Sequence, residues 1–200
     1  MSFERLNQKI ADIRATAGAV QAAHANSIRD LNADNRISNS ERRNQADQVR
    51  ADTQAKLDAL KDQEDTAIAT ERRDLQRRIN GATTDDPAAV ISFRDAQDRA
   101  AALDDSQETA ALMRRALDSG DSVLANAVLG RAVELGHDDT IDAYTAEHPD
   151  AADAVRDLSR IARRDDDLNS DFETYATYKV PNTPLQARYE GNTLTQTGWA

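Results

Sequence analysis

Oxygen-bearing side chains crowd the segment Asp30-Leu31-Asn32-Ala33-Asp34-Asn35-Arg36-Ile37-Ser38-Asn39-Ser40-Glu41. Within it Asp30, Asn32, Asp34, Ser38 and Glu41 fall at positions 1, 3, 5, 9 and 12, and the apolar Ile37 falls at position 8. That spacing suits Ca²⁺, a hard cation that gathers oxygen ligands around a twelve-residue loop and takes both oxygens of a terminal glutamate.

Over these residues the segment resembles an EF-hand loop, which would make the chain a Ca²⁺-responsive helical binding module. Asn35 stands where the turn normally takes glycine, a substitution that asparagine's tolerance of the left-handed region permits. Arg36 at position 7 could offer its carbonyl. Arg29 and Arg42 flank the segment in place of paired aromatic anchors. The same residues also fit a metal-free connection between two helices, with Ser38 and Glu41 as an S-x-x-E capping box. Sequence alone leaves both readings open.

Other chemistry is sparse. His24 lies on a helical apolar face, His137 precedes Asp138 as a bare dipeptide, and His148 precedes Pro149. None has companion ligands at helical spacing, so core or turn roles are expected. The run Asp165-Asp166-Asp167 reads as a solvated charge cluster. There is no G-x-S-x-G, P-loop or G-x-G-x-x-G pattern, and no cysteine. The expectation is a protein that is not an enzyme and needs no cofactor, with Ca²⁺ as the one candidate ion.

The elements that would position these residues are helices. Alanine supplies 36 of 200 residues, whereas glycine supplies 7 and proline 4. The best helix former dominates, few breakers interrupt it, and alternating β-branched runs are missing, which predicts an all-α fold. Residues 1–80 read as a long helical hairpin of coiled-coil type. Phe3, Leu6, Ile10, Ile13, Ala17, Val20, His24, Ser27 and Leu31 follow a heptad. Ala46, Val49, Thr53, Leu57, Leu60, Glu64, Ile68, Glu71, Leu75 and Ile79 follow an eleven-residue repeat. An antiparallel hairpin, formed within one chain or between chains, fits these seams, with a single long helix as the alternative. A second copy or a partner protein would cover the remaining apolar surface.

Residues 81–178 read as a compact multi-helix domain punctuated by Asp86-Pro87, Asp105, Ser119-Gly120-Asp121, Gly136 and His148-Pro149. From Asp150 one long helix is expected, with Val155, Leu158, Ile161, Leu168, Phe172 and Tyr175 along one face. Residues 179–200, with Pro181, Pro184, Gly191 and Gly198, read as an extended arm. Disordered tails are poor in aromatics. Here Tyr175, Tyr178, Tyr189 and Trp199 accompany the arm and are candidate anchors on a protein partner, or on the chain's own helices.

The formal charge is −11. Residues 81–178 hold 22 acidic and 9 basic groups, while the segments on either side are each close to neutral. Nucleic acid is not the expected partner, because phosphate contacts need a basic stripe; a basic protein surface is. Arg42-Arg43, Arg72-Arg73 and Arg77-Arg78 are balanced by interleaved acids. No apolar run is long enough for a membrane span, and Met1-Ser2-Phe3-Glu4-Arg5 shows no start of a secretory signal.

The segment from Leu117 through Asp118-Ser119-Gly120-Asp121 to Val128, followed by Asp142-Ala143-Tyr144 and His148-Pro149-Asp150-Ala151-Ala152, resembles helical structural proteins of bacteriophage particles. The likeness is strongest to those of phages infecting high-GC actinobacteria, and arginine outnumbers lysine by 21 to 4. It implies a head- or tail-associated virion component without enzymatic activity, located in the virion or the host cytoplasm. Its partners would be its own copies and other virion subunits. A transient scaffolding protein or assembly chaperone is the alternative.

Overall fold

The structure, a computed structural model, describes residues 3–81, 87–165 and 168–186. These residues form α-helices and one short 3₁₀ turn, with no strand among them, so the fold is all-α. In chain order the helices are α1 (Phe3–Ala33), α2 (Asn39–Asn80), α3 (Pro87–Ala101), α4 (Ser106–Asp118), α5 (Ser122–Leu135), α6 (Asp138–Glu147), α7 (Ala152–Asp165) and α8 (Leu168–Tyr178). The 3₁₀ turn covers Pro149–Ala151.

Two compact units divide the chain. The first comprises Met1–Ile10 and Asp65–Glu173, and the second Ala11–Glu64 and Thr174–Ala200. This partition departs from the three consecutive segments expected at 1–80, 81–178 and 179–200. The reason is apolar burial: Leu6, Ile10, Ala67 and Leu75 sit in the same core cluster as residues of α3–α7. Burial follows the partner surface, whatever the position in the chain.

In the first unit α5 is the central element. It buries Leu124, Ala125, Val128, Leu129, Ala132 and Val133 and packs against α3, α4, α6 and α7. A helix apolar on most sides belongs inside a bundle. Its neighbours contribute Met113 and Ala116 from α4, Ile141 and Tyr144 from α6, and Val155, Leu158 and Ile161 from α7. Burial pushes the Tyr144 phenol up, and its hydroxyl donates to Asn126 Oδ1 at 2.7 Å.

Boundary residues act as the sequence indicates. Asp105 accepts from the N–H groups of Gln107 and Glu108 at 2.8 and 3.0 Å, opening α4. Asp121 accepts from Leu124 N–H at 3.0 Å and opens α5. Gly136 ends α5 at φ +70°, a left-handed cap that favours glycine.

Where one long helix is expected from Asp150, the described residues form α7 and α8, residues 166–167 lie outside the described residues, and Asp150 itself lies in the 3₁₀ turn. Phe172 and Tyr175, expected along the buried face, are 72% and 60% exposed.

The second unit is built on an antiparallel pairing of α1 with α2. Arg14 bonds Glu64, His24 bonds Thr53, and Leu31 bonds Arg42. Its apolar core is small: Ile13, Ala17, Leu57 and Tyr178, with Val20, Leu60 and Val180 against it. Along the α1 heptad Leu6, Ile10, Ile13, Ala17 and His24 are buried, and Phe3 and Val20 are half-buried. Ile28 then replaces Ser27 as the buried position, a spacing of four where three was expected.

Candidate functional site: a clamp for the arm

With so small an apolar core, polar side chains organise much of the second unit. Glu64 occupies a seam position of α2 and is 2% exposed. Arg14 donates to both of its oxygens, Nε to Oε2 at 2.9 Å and Nη2 to Oε1 at 2.7 Å. The Tyr178 hydroxyl donates to Oε2 at 2.6 Å, and Arg14 Nη2 also reaches Thr174 Oγ1 at 3.0 Å. A buried carboxylate is tolerable when fork-shaped and hydroxyl donors satisfy it together. Here they fasten the end of α8 to the helix pair.

The chain beyond α8 is held chiefly through its backbone. The Gln21 amide donates to the carbonyls of Ala176, Thr177 and Lys179 at 3.0, 3.0 and 2.8 Å, covering acceptors that a helix C-terminus leaves open. Further along, Asn32 Nδ2 donates to Pro184 O at 3.1 Å, and Asn32 Oδ1 accepts from Gln186 N–H at 2.9 Å. One amide thus brackets Leu185 as a neighbouring strand would. Along the segment Pro181, Thr183 and Leu185 are half-buried, whereas Asn182, Pro184 and Gln186 are exposed. That is the two-residue alternation of extended chain.

Arg42, 1% exposed, closes the far end. Its guanidinium donates to Leu31 O and Asn39 Oδ1 at 3.0 Å, and more weakly to the carbonyls of Gln186, Asp34 and Ile37 at 3.4–3.5 Å. A cation beside the last carbonyls of α1 is well placed electrostatically.

The residues expected to surround Ca²⁺ are distributed differently from a twelve-residue loop. Asp30 and Asn32 lie within α1 and Glu41 within α2, so the connection is residues 34–38. Asn32 holds the arm. Asp34 accepts from the backbone N–H of Arg36 and from its guanidinium. Ser38 Oγ accepts from Glu41 N–H at 3.1 Å, the forward half of the capping box, and Glu41 Oε1 accepts from Gln45 at 2.7 Å. Among the described residues no group of three or more His, Asp or Glu could hold a metal. The positive charge that gathers the carbonyls of the connection is Arg42's.

Of the candidate aromatic anchors, Tyr178 is buried against the chain's own Glu64. Tyr175 stays exposed beneath Lys179, whose Nζ lies 4.8 Å from the ring centroid. Tyr189 and Trp199 lie outside the described residues.

His24 is buried in the seam. Thr53 Oγ1 donates to Val49 O at 2.6 Å, so its contact with His24 Nδ1 at 3.2 Å requires that Nδ1 carry the proton. Nε2 then presents a lone pair that meets no hydrogen-bonding group among the described residues. Burial, aided by the charge of Arg50, holds the His24 pKa below 6.5.

Gln21, Arg14 and Arg42 were not apparent from the sequence as arm-holding residues. One signal was present: stepping the α2 repeat back from Ala46 by four residues lands on Arg42. In the first unit a cleft of about 410 Å³ is lined by Phe93, Gln97, Asp98, Asn126, Arg131 and Glu134 among others, with no histidine or nucleophile–base pair in its wall. No protein-family model, curated protein or solved structure matches the chain. No helix among the described residues is long and apolar enough to cross a membrane.

Proposed function

We propose that the chain is a non-enzymatic subunit of a larger protein assembly, tied into it by its C-terminal arm. A bacteriophage particle is the setting that the resemblance around Leu117–Val128 implies, in a head- or tail-associated position. The observation that most supports the reading is the clamp. Asn32 and Arg42 are committed to the backbone of an extended segment, and Gln21 and Glu64 are committed to fastening its root at the end of α8. Polar groups of these kinds could serve catalysis, yet here they grip chain. The first unit, which carries the whole charge excess, supplies a docking surface for basic partners.

Deleting residues 179–200 tests this. The truncated chain should keep its helical circular dichroism but fail to enter the particle; undiminished incorporation would overturn the reading. Proteomics of finished particles separates a permanent subunit, which is retained, from a transient scaffold, which is absent.

A further inference from the structure

The clamp grips features that any copy of this chain would present. Asn32 reads one carbonyl and one N–H, Arg42 reads a carbonyl, and the inward side chains Pro181, Thr183 and Leu185 are only half-buried. Residues 181–186 form no regular secondary structure, and their one backbone hydrogen bond to one another is Thr183 N–H to Pro181 O. A segment held by a few exposed bonds opens locally far more often than the unit unfolds. The last group embedded in the apolar cluster is Val180, followed at once by Pro181. Proline fixes its own φ and restricts the residue before it, so the opened segment stays extended at small entropic cost.

Direction and charge indicate where such a segment goes. It runs from Gln21 towards the α1–α2 connection, and Gln186 lies beside Arg42 at that connection. The second unit holds ten acidic and ten basic groups, whereas the first holds 26 and 15. Two copies can therefore approach through their second units without net repulsion, while the first units repel one another.

We propose that the face of the second unit between Gln21 and Arg42 is an exchangeable docking groove that takes residues 181–186 of a second copy. Its own arm fills the groove in the isolated chain. The exchange rests on the assembly reading above and names its first partner, the chain itself. Swapping an identical element reuses every contact already present, so association needs no new surface. The high local concentration within an assembly favours it.

The test mixes two full-unit variants. One ends at Val180 and keeps an intact, empty groove. The other keeps its arm and carries Asn32→Ala. Circular dichroism first establishes that both are as helical as the parent. Each alone should be monomeric by light scattering, and together they should form a one-to-one complex. A third chain carrying Asn32→Ala with Gln186→Pro, which lacks the N–H that Asn32 accepts, should not be captured. A synthetic peptide of residues 179–188 should bind the truncated chain, and Asn32→Ala in that chain should weaken binding about tenfold or more. Peptide binding without complex formation would overturn the exchange and leave the clamp intact. Absence of both would overturn the groove itself. Neither result depends on particle incorporation, which tests the assembly reading separately.

Discussion

Glu64 concentrates the cost of the polar seam in one side chain. Replacing it with alanine leaves the Arg14 guanidinium and the Tyr178 hydroxyl without their shared acceptor. A loss of about 2–4 kcal/mol is expected in denaturant unfolding of the second unit. Tyr178→Phe keeps the ring in the core and removes one charge-assisted bond, so the loss should be about 1–2 kcal/mol. A Tyr178→Phe cost equal to that of Glu64→Ala would show that the hydroxyl, and not Arg14, carries the anchor. His24 gives the same unit an acid sensitivity. Its folded pKa lies below the unfolded value of 6.5, so in the window between them the unfolded chain binds the extra proton. Its contribution is therefore complete above about pH 6.5 and declines as pH falls towards the folded pKa, by at most ~1.4 kcal/mol per pH unit. Unfolding midpoints of the parent and His24→Leu between about pH 7 and pH 5 check this. The parent should lose stability more steeply, and parallel curves would refute the assignment.

At the scale of elements, caps and breakers were readable because they act within a few residues. Asp105, Asp121 and Gly136 did what their types and positions indicated. Gly136→Ala should cost about 1 kcal/mol, because a Cβ is disfavoured at φ +70° whatever space surrounds it. Asp105→Ala should cost a similar amount by freeing two N–H groups of α4. Thermal melts of the two variants check both values. The connection at residues 34–38 shows how one local pattern fits two arrangements. Five oxygen-bearing side chains at calcium-like intervals were legible, and the structure places Asp30 and Asn32 in α1, Glu41 in α2, and Asp34 and Ser38 in the connection. Arg42 supplies the cation at this connection, so millimolar Ca²⁺ is expected to leave the thermal midpoint unchanged. A rise with Ca²⁺ that Asp30→Ala abolishes would contradict this.

Across the whole molecule, the net charge is confined to one unit. The first unit, with 26 acidic and 15 basic groups, accounts for the full −11, and the second is neutral. Association of the chain with a lysine-rich peptide should therefore weaken strongly as salt rises from about 50 to 200 mM, because surface attraction is screened beyond a Debye length. An affinity unchanged across that range would show that the acidic surface is not the docking face. Exposed Ile91 and the half-exposed Val90 and Phe93 on α3 give the first unit apolar surface as well.

The sequence by itself determined the all-α class, most helix boundaries, the two seam periodicities and the confinement of negative charge to part of the chain. These follow from backbone propensity, caps and composition, which act over a few residues or simply sum along the chain. Tertiary structure decided which unit each end of the long helices joins, the register change from Ser27 to Ile28, and the roles of Gln21, Asn32, Arg42 and Glu64. Those roles arise from contacts between residues as far apart as Asn32 and Gln186. A polar side chain in a helical repeat looks the same whether it meets water, a metal or a folded-back arm, and only the fold specifies which.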